Sequence, residues 1–206
     1  MIAAGLFAGV LFLGLIVTDW FRFTSLTSPA STYGCRVGRT EDRLPVAPLT
    51  LDLHRFDGNG LLRTQHGVAR LFRDQWCILL RPQYQLFSLR FRTAWPLKAT
   101  IVLEAVGSAT RVDCIKRIPW SSACLTLIWF ALVGLGTIGF IIAFIVNGGF
   151  ASLSGILMGL GVTGLGVLVL AFGLVVIALA YRLEDHRLTQ AYHELLAALT
   201  GDSILR

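Results

Sequence analysis

The chain has 206 residues, 55% of them hydrophobic, a mean hydropathy of +0.70 and a net charge of +6. Soluble domains of this size are far less apolar, so these totals exclude an ordinary water-soluble globule and indicate a membrane protein. Four cysteines, at 35, 77, 114 and 124, lack the close paired spacing of a zinc site.

Residues 1–21 read as a first transmembrane helix. A cleaved secretory signal would carry a basic start, a shorter apolar core and a small-x-small site. Here no Lys or Arg precedes Arg22, and Gly5 and Gly9 stand at G-x-x-x-G spacing, a face on which another helix can approach closely. Residues 22–48 are rich in Ser, Thr, Pro and Gly and read as an irregular linker with mixed surface charge.

Residues 49–119 read as a small, basic, antiparallel β domain of five to seven strands. Leu49, Leu51 and Leu53 alternate with polar residues and precede Asp57-Gly58-Asn59-Gly60, so a hairpin with Leu61–Gln65 is expected. Val68–Arg81 fits one helix face, and it also fits two short strands split at Asp74-Gln75, the reading preferred here. Phe87, Leu89 and Phe91 alternate with Ser88, Arg90 and Arg92. A hairpin turning at Gly107-Ser108 has the firmest register. Pairing Val106 with Ala109 sets Leu103 opposite Val112 and Ile101 opposite Cys114 on an apolar face, with Glu104 opposite Arg111 on the other.

From Ile118 to Tyr181, 64 consecutive residues contain no Asp, Glu, Lys, Arg or His. About 20 apolar residues cross a hydrocarbon core, so this run holds two spans, over 120–147 and 151–181, joined at Asn147-Gly148-Gly149. Residues 182–206 place Leu183, Leu188, Ala191, Tyr192, Leu195, Leu196 and Leu199 on one stripe, an amphipathic tail helix capped near Gly201. The fold class is therefore membrane α+β: one helix, an inserted antiparallel β domain, a helical hairpin and an amphipathic tail.

Fifteen of the 18 Lys and Arg lie between Phe21 and Trp120, and Arg22, Lys116, Arg117 and Arg182 flank the spans on one side. The positive-inside rule then predicts an inner (cytoplasmic) membrane protein with its N-terminus outside and its β domain and C-terminus in the cytoplasm.

Chemistry is sparse in this pattern. Gly134–Gly139 and Gly159–Gly164 match G-x-G-x-x-G, but both sit inside charge-free spans with no acidic residue after them, so no dinucleotide and no other cofactor is expected. The second stretch reads better as packing, because Ala151, Gly155, Gly159 and Thr163 recur every four residues. No histidine or other ionisable group lies mid-span, which argues against intramembrane haem and against a proton path. His54, His66, His186 and His193 form no metal spacing, and Asp52 with His54 reads as a solvated strand pair rather than a dyad. Arg90, Arg92, Lys98, Arg111 and Arg117 are expected to gather on one sheet face and meet anionic lipid headgroups or an acidic partner. Nucleic acid is not expected, because exposed aromatics interleaved with a basic run are missing. The leading expectation is a non-catalytic accessory subunit of a larger inner-membrane complex, with energy-converting complexes among the candidates, bound to other integral membrane subunits. The alternatives are a membrane-tethered module that binds anionic lipid or an acidic partner, and a membrane-bound enzyme without a recognisable motif.

Overall fold

The computed structural model describes residues 2–47, 51–83 and 93–201. Its elements are α1 (Ile2–Thr24), α2 (Ser28–Ser31), β1 (Cys35–Leu44), β2 (Leu61–Arg63), β3 (Gly67–Phe72), β4 (Cys77–Pro82), β5 (Lys98–Val106), β6 (Ala109–Ile118), α3 (Trp120–Val146) and α4 (Leu153–Thr200). They form two compact units, one of residues 1–122 with 182–206 and one of residues 123–181. Three helices, Gly5–Thr24, Trp120–Val146 and Leu153–Thr200, are long and apolar enough to cross a membrane.

The first unit is built on one six-stranded antiparallel sheet in the order β1-β6-β5-β4-β3-β2. The β5–β6 hairpin has the expected register, with Val106 opposite Ala109, Leu103 opposite Val112, Ile101 opposite Cys114 and Glu104 opposite Arg111. Residues 67–82 form two strands split by a 3-10 turn over Arg73–Gln75, and Trp76 turns the chain in the left-handed region at φ 46°.

Both faces of the sheet are covered. Ala69, Leu71, Ile78, Leu80, Ala99, Ile101, Leu103, Val112 and Cys114 share one face, and all are at most 5% exposed. Leu188, Ala191, Tyr192, Leu195 and Leu199 of α4 are buried in the same unit. Gly67 lets the two layers meet, since a Cβ there would stand 2.6 Å from the Ala191 Cβ. Each of these buried leucines contributes roughly 2 kcal/mol in transfer free energy. The stripe expected on the tail is thus a docking face, although Leu183 at its start is exposed. The tail is also no separate element. It continues the third span in one helix of 48 residues that ends at Gly201, φ +70°.

Two expectations are corrected. Cys35–Leu44 is a ten-residue edge strand paired with β6, not an irregular linker. Its residues Arg39, Glu41 and Arg43 face one way and Thr40 and Asp42 the other, so neither face reads as apolar; charge is how edge strands resist further pairing. Of the expected hairpin, the described residues 51–53 do not pair with residues 61–65. Asp57 Oδ1 accepts from Asn59 N (2.9 Å) and Leu61 N (2.7 Å) and folds that loop on itself, and Leu61–Arg63 pairs with β3 instead. The alternation over residues 87–91 lies outside the described residues.

In the second unit α3 and α4 meet antiparallel. A Cβ built on Gly159 would stand 3.2 Å from Phe144 Cε1, one on Gly166 would strike Thr137, and one on Gly173 would strike Trp129 and approach Phe130 to 3.3 Å. Each seven-residue step up α4 meets a seven-residue step down α3, the repeat of a left-handed helix pair. The turn carries Gly148 at φ +68°, and Phe150 packs edge-on against Phe144 at 5.0 Å.

Candidate functional site

The most distinctive polar construction lies where α1 ends on the sheet. The last carbonyls of any helix lack intrahelical partners, and they form the negative end of its dipole. Here each one is taken up. Trp20 O accepts from Thr24 Oγ1 (2.8 Å), Phe21 O from Ser25 N (3.1 Å) and Arg22 O from Ser25 Oγ (2.9 Å). Phe23 O accepts from Lys98 Nζ at 3.0 Å and Thr24 O from Arg81 Nη1 at 2.6 Å. The connection that follows is held the same way. Arg70 donates to Leu26 O, Lys98 to Ala30 O (2.7 Å) and Arg117 Nη1 to Gly34 O (3.2 Å). Gly34 has φ +114°, and a Cβ there would lie 2.7 Å from Ile118 O, so glycine is required at this contact.

Sheet register brings these cations together. Arg36 pairs with Arg117 and Arg117 with Lys98, while Arg81, which follows Leu80 on β4, reaches the same helix end. Cationic residues therefore stand side by side across three strands, an arrangement that costs stability unless something opposes it. The helix-end carbonyls supply part of the opposition, at about 0.3–2 kcal/mol for each cation at a helix C-terminus. The Phe23 ring supplies more, with Lys98 Nζ 4.1 Å from its centroid. Lys98 is 2% exposed. Its ammonium is pushed down to about 7, first by burial, then by the Arg117 charge, with Asp19 opposing. Burial also lowers Arg117, whose Nε is buried without an acceptor.

Asp19 ties two spans together at this level. It accepts from Tyr33 Oη (2.5 Å) and from Ser121 N (2.9 Å) and Oγ (2.6 Å), so a carboxylate on α1 caps the first turn of α3. Arg22 stacks over the Tyr33 ring at 4.6 Å.

The expected basic face is therefore divided. Lys98 and Arg117 are interior, committed to backbone carbonyls, and are not open for a headgroup or acidic peptide to grasp whole. Arg111 is half-buried and pairs with Glu41 at 2.6 Å, while Arg39 bridges Asp113 and Glu41. Arg90 and Arg92 lie outside the described residues. The helix-packing residues divide too. A Cβ on Gly5 or Gly9 would have nothing within 4 Å. Ala151 lies in a 3-10 turn, Gly155 is closed over by the Gly149 carbonyl, and Thr163 is half-buried. Gly159 of that four-residue stripe meets α3, and Gly166 and Gly173 complete the seam. Their spacing of seven is visible in the sequence and was the signal to follow.

On the other face, a cavity of about 220 Å³ is lined by Thr40, Asp42, Cys114 and Lys116 with Leu188, Tyr192 and His193. Its polar groups are mutually engaged, Tyr192 Oη with Asp42 (2.7 Å) and Lys116 with Asp185. His66 binds Glu194, and Asp52 pairs with Arg55 rather than His54. Among the described residues no group of three or more His, Cys, Asp or Glu is placed to hold a metal. Comparison with protein-family models, with curated proteins and with solved structures gives no match.

Proposed function

We propose that this chain is a non-catalytic, multi-pass subunit of a larger membrane assembly, in which the sheet mounts three helices and the helices pack against other integral membrane subunits. One observation carries this reading: buried polar groups of the sheet unit hold all three long helices. Lys98 and Arg81 hold the end of α1, Asp19 and the Ala94 carbonyl hold Ser121 and Ser122 at the start of α3, and the buried Glu184 holds α4 through Thr93. A domain whose charges immobilise its own anchors is suited to setting helix positions for a neighbour. The basic flanks Arg22, Lys116, Arg117 and Arg182 support an inner-membrane orientation with the sheet in the cytoplasm.

The test is purification of the tagged protein from its own membranes in mild detergent, followed by mass spectrometry. A set of membrane proteins at fixed stoichiometry is expected; a monodisperse lone chain overturns the reading. Orientation is read from impermeant-maleimide labelling of Asn147→Cys and Arg43→Cys in intact cells, in a background without Cys35 and Cys124. Labelling of the first alone is expected, and labelling of the second alone reverses the orientation.

A further inference from the structure

The row of cations beneath α1 is under-neutralised at its outer end. Arg36 is exposed and stands opposite Arg117, and both point to the face where α1 ends. Arg117 makes one hydrogen bond, to the neutral Gly34 carbonyl, and its Nε is buried with no acceptor. Gly34 follows Tyr33, and Tyr33 carries the Arg22 guanidinium on its ring. The Arg22 and Arg117 guanidinium groups therefore contact Tyr33 and Gly34, and Arg36 follows the same segment opposite Arg117. The carboxylate nearest this row, Asp19, already accepts three hydrogen bonds, and its charge acts on Lys98. Other acids of this unit are engaged elsewhere: Glu41 and Asp113 of the sheet with Arg39 and Arg111, and Asp185 of α4 with Lys116.

Position identifies what completes the charge balance. Arg22 follows Trp20 and Phe21 at the end of a 20-residue apolar segment, so the cluster sits at the depth where a membrane presents headgroups. A phosphate diester is anionic, held at that depth by its acyl chains, and matches the fork of a guanidinium. We propose that Arg22 and Arg36, both exposed and backed by the buried charge of Arg117, form a headgroup site for one anionic phospholipid at the sheet-side end of α1. The site needs no partner protein, so it stands or falls separately from the assembly reading.

The test uses the full chain in detergent micelles doped with phosphatidylglycerol, with phosphatidylcholine or inorganic phosphate as separate arms. Thermal midpoint and native mass spectrometry are the readouts. Phosphatidylglycerol is expected to raise the midpoint above both other arms and to remain bound to the intact chain. Arg22→Gln with Arg36→Gln is expected to weaken that binding roughly 30-fold, from the attraction of two cations to an anionic surface. Arg55→Gln with Arg73→Gln, exposed cations away from α1, is expected to leave it unchanged. Because the readout is the difference between lipids, a general loss of stability does not imitate the effect. Equal midpoints in the two lipids, equal loss in both double variants, or equal stabilisation by inorganic phosphate would each overturn the site.

Discussion

Lys98 is held by two carbonyls and an aromatic face in a place where its charge is unwelcome, and stability should therefore depend on pH with a definite sign. Its ammonium is lowered to about 7 in the folded chain, against an ordinary 10.5. Between those values the unfolded chain binds a proton that the folded chain does not, so stability rises with pH, by at most about 1.4 kcal/mol per pH unit. A neutral amine still has two N–H groups for Phe23 O and Ala30 O. The buried thiols act in the opposite sense. Burial raises Cys114 to about 11 and raises Cys77, so above the ordinary thiol value of 9.0 the unfolded chain loses protons that the folded one keeps. The thermal midpoint in detergent should climb from pH 7 to a maximum near pH 9 and then fall. Lys98→Met should abolish the climb and keep the fall. An unchanged climb in that variant would show that Lys98 does not titrate in this range.

At the scale of elements, the two helices of the hairpin are matched by glycine at every seventh residue of α4. Gly166 lies under Thr137, whereas a Cβ on Gly161 would meet nothing within 4 Å. Gly166→Leu should therefore cost on the order of 1–3 kcal/mol by overpacking, while Gly161→Leu should be neutral or slightly stabilising, since leucine is the better helix former. Equal effects on the thermal midpoint would mean that the seam does not hold the hairpin together. The same elements show what a sequence can and cannot reveal. The β5–β6 hairpin was legible because alternation, a Gly-Ser turn and a Glu104–Arg111 pair all require one register. The spans were legible from length alone. β1 was not, because an edge strand has only one neighbour to satisfy and keeps charge on both faces. The four-residue stripe at Ala151–Thr163 meets α3 at Gly159, whereas the contact along the hairpin follows the seven-residue period of a left-handed antiparallel pair. The cation row was hidden for a related reason. Arg36 and Arg117 become neighbours only once β1, from the supposed linker, lies beside β6, and Arg81 joins them only through β4.

The whole molecule is not divided where its sequence appears to be divided. Residues 49–119 resemble a separable β domain, but the unit that contains the sheet also includes residues 1–48, 120–122 and 182–206. Without β1 the full length of β6 becomes an unpaired edge. Without α4, which supplies the buried Leu188, Leu195 and Leu199, the apolar face formed by Leu80, Ile101 and Val112 is left open. Without α1 the charges of Lys98 and Arg81 lose the Phe23 and Thr24 carbonyls that receive them. A fragment of residues 49–118 should accordingly be insoluble or lack a cooperative thermal transition. A chain of residues 24–118 fused through a flexible linker to residues 182–201 restores β1 and the tail, and should recover a cooperative transition, weakened by the missing turns of α1. Circular dichroism on heating distinguishes the two. A cooperative transition in the short fragment would show that the sheet closes without its flanking segments. Loss of the transition in the fused chain, against its presence in the full protein, would show that the membrane helices themselves are required to form the sheet.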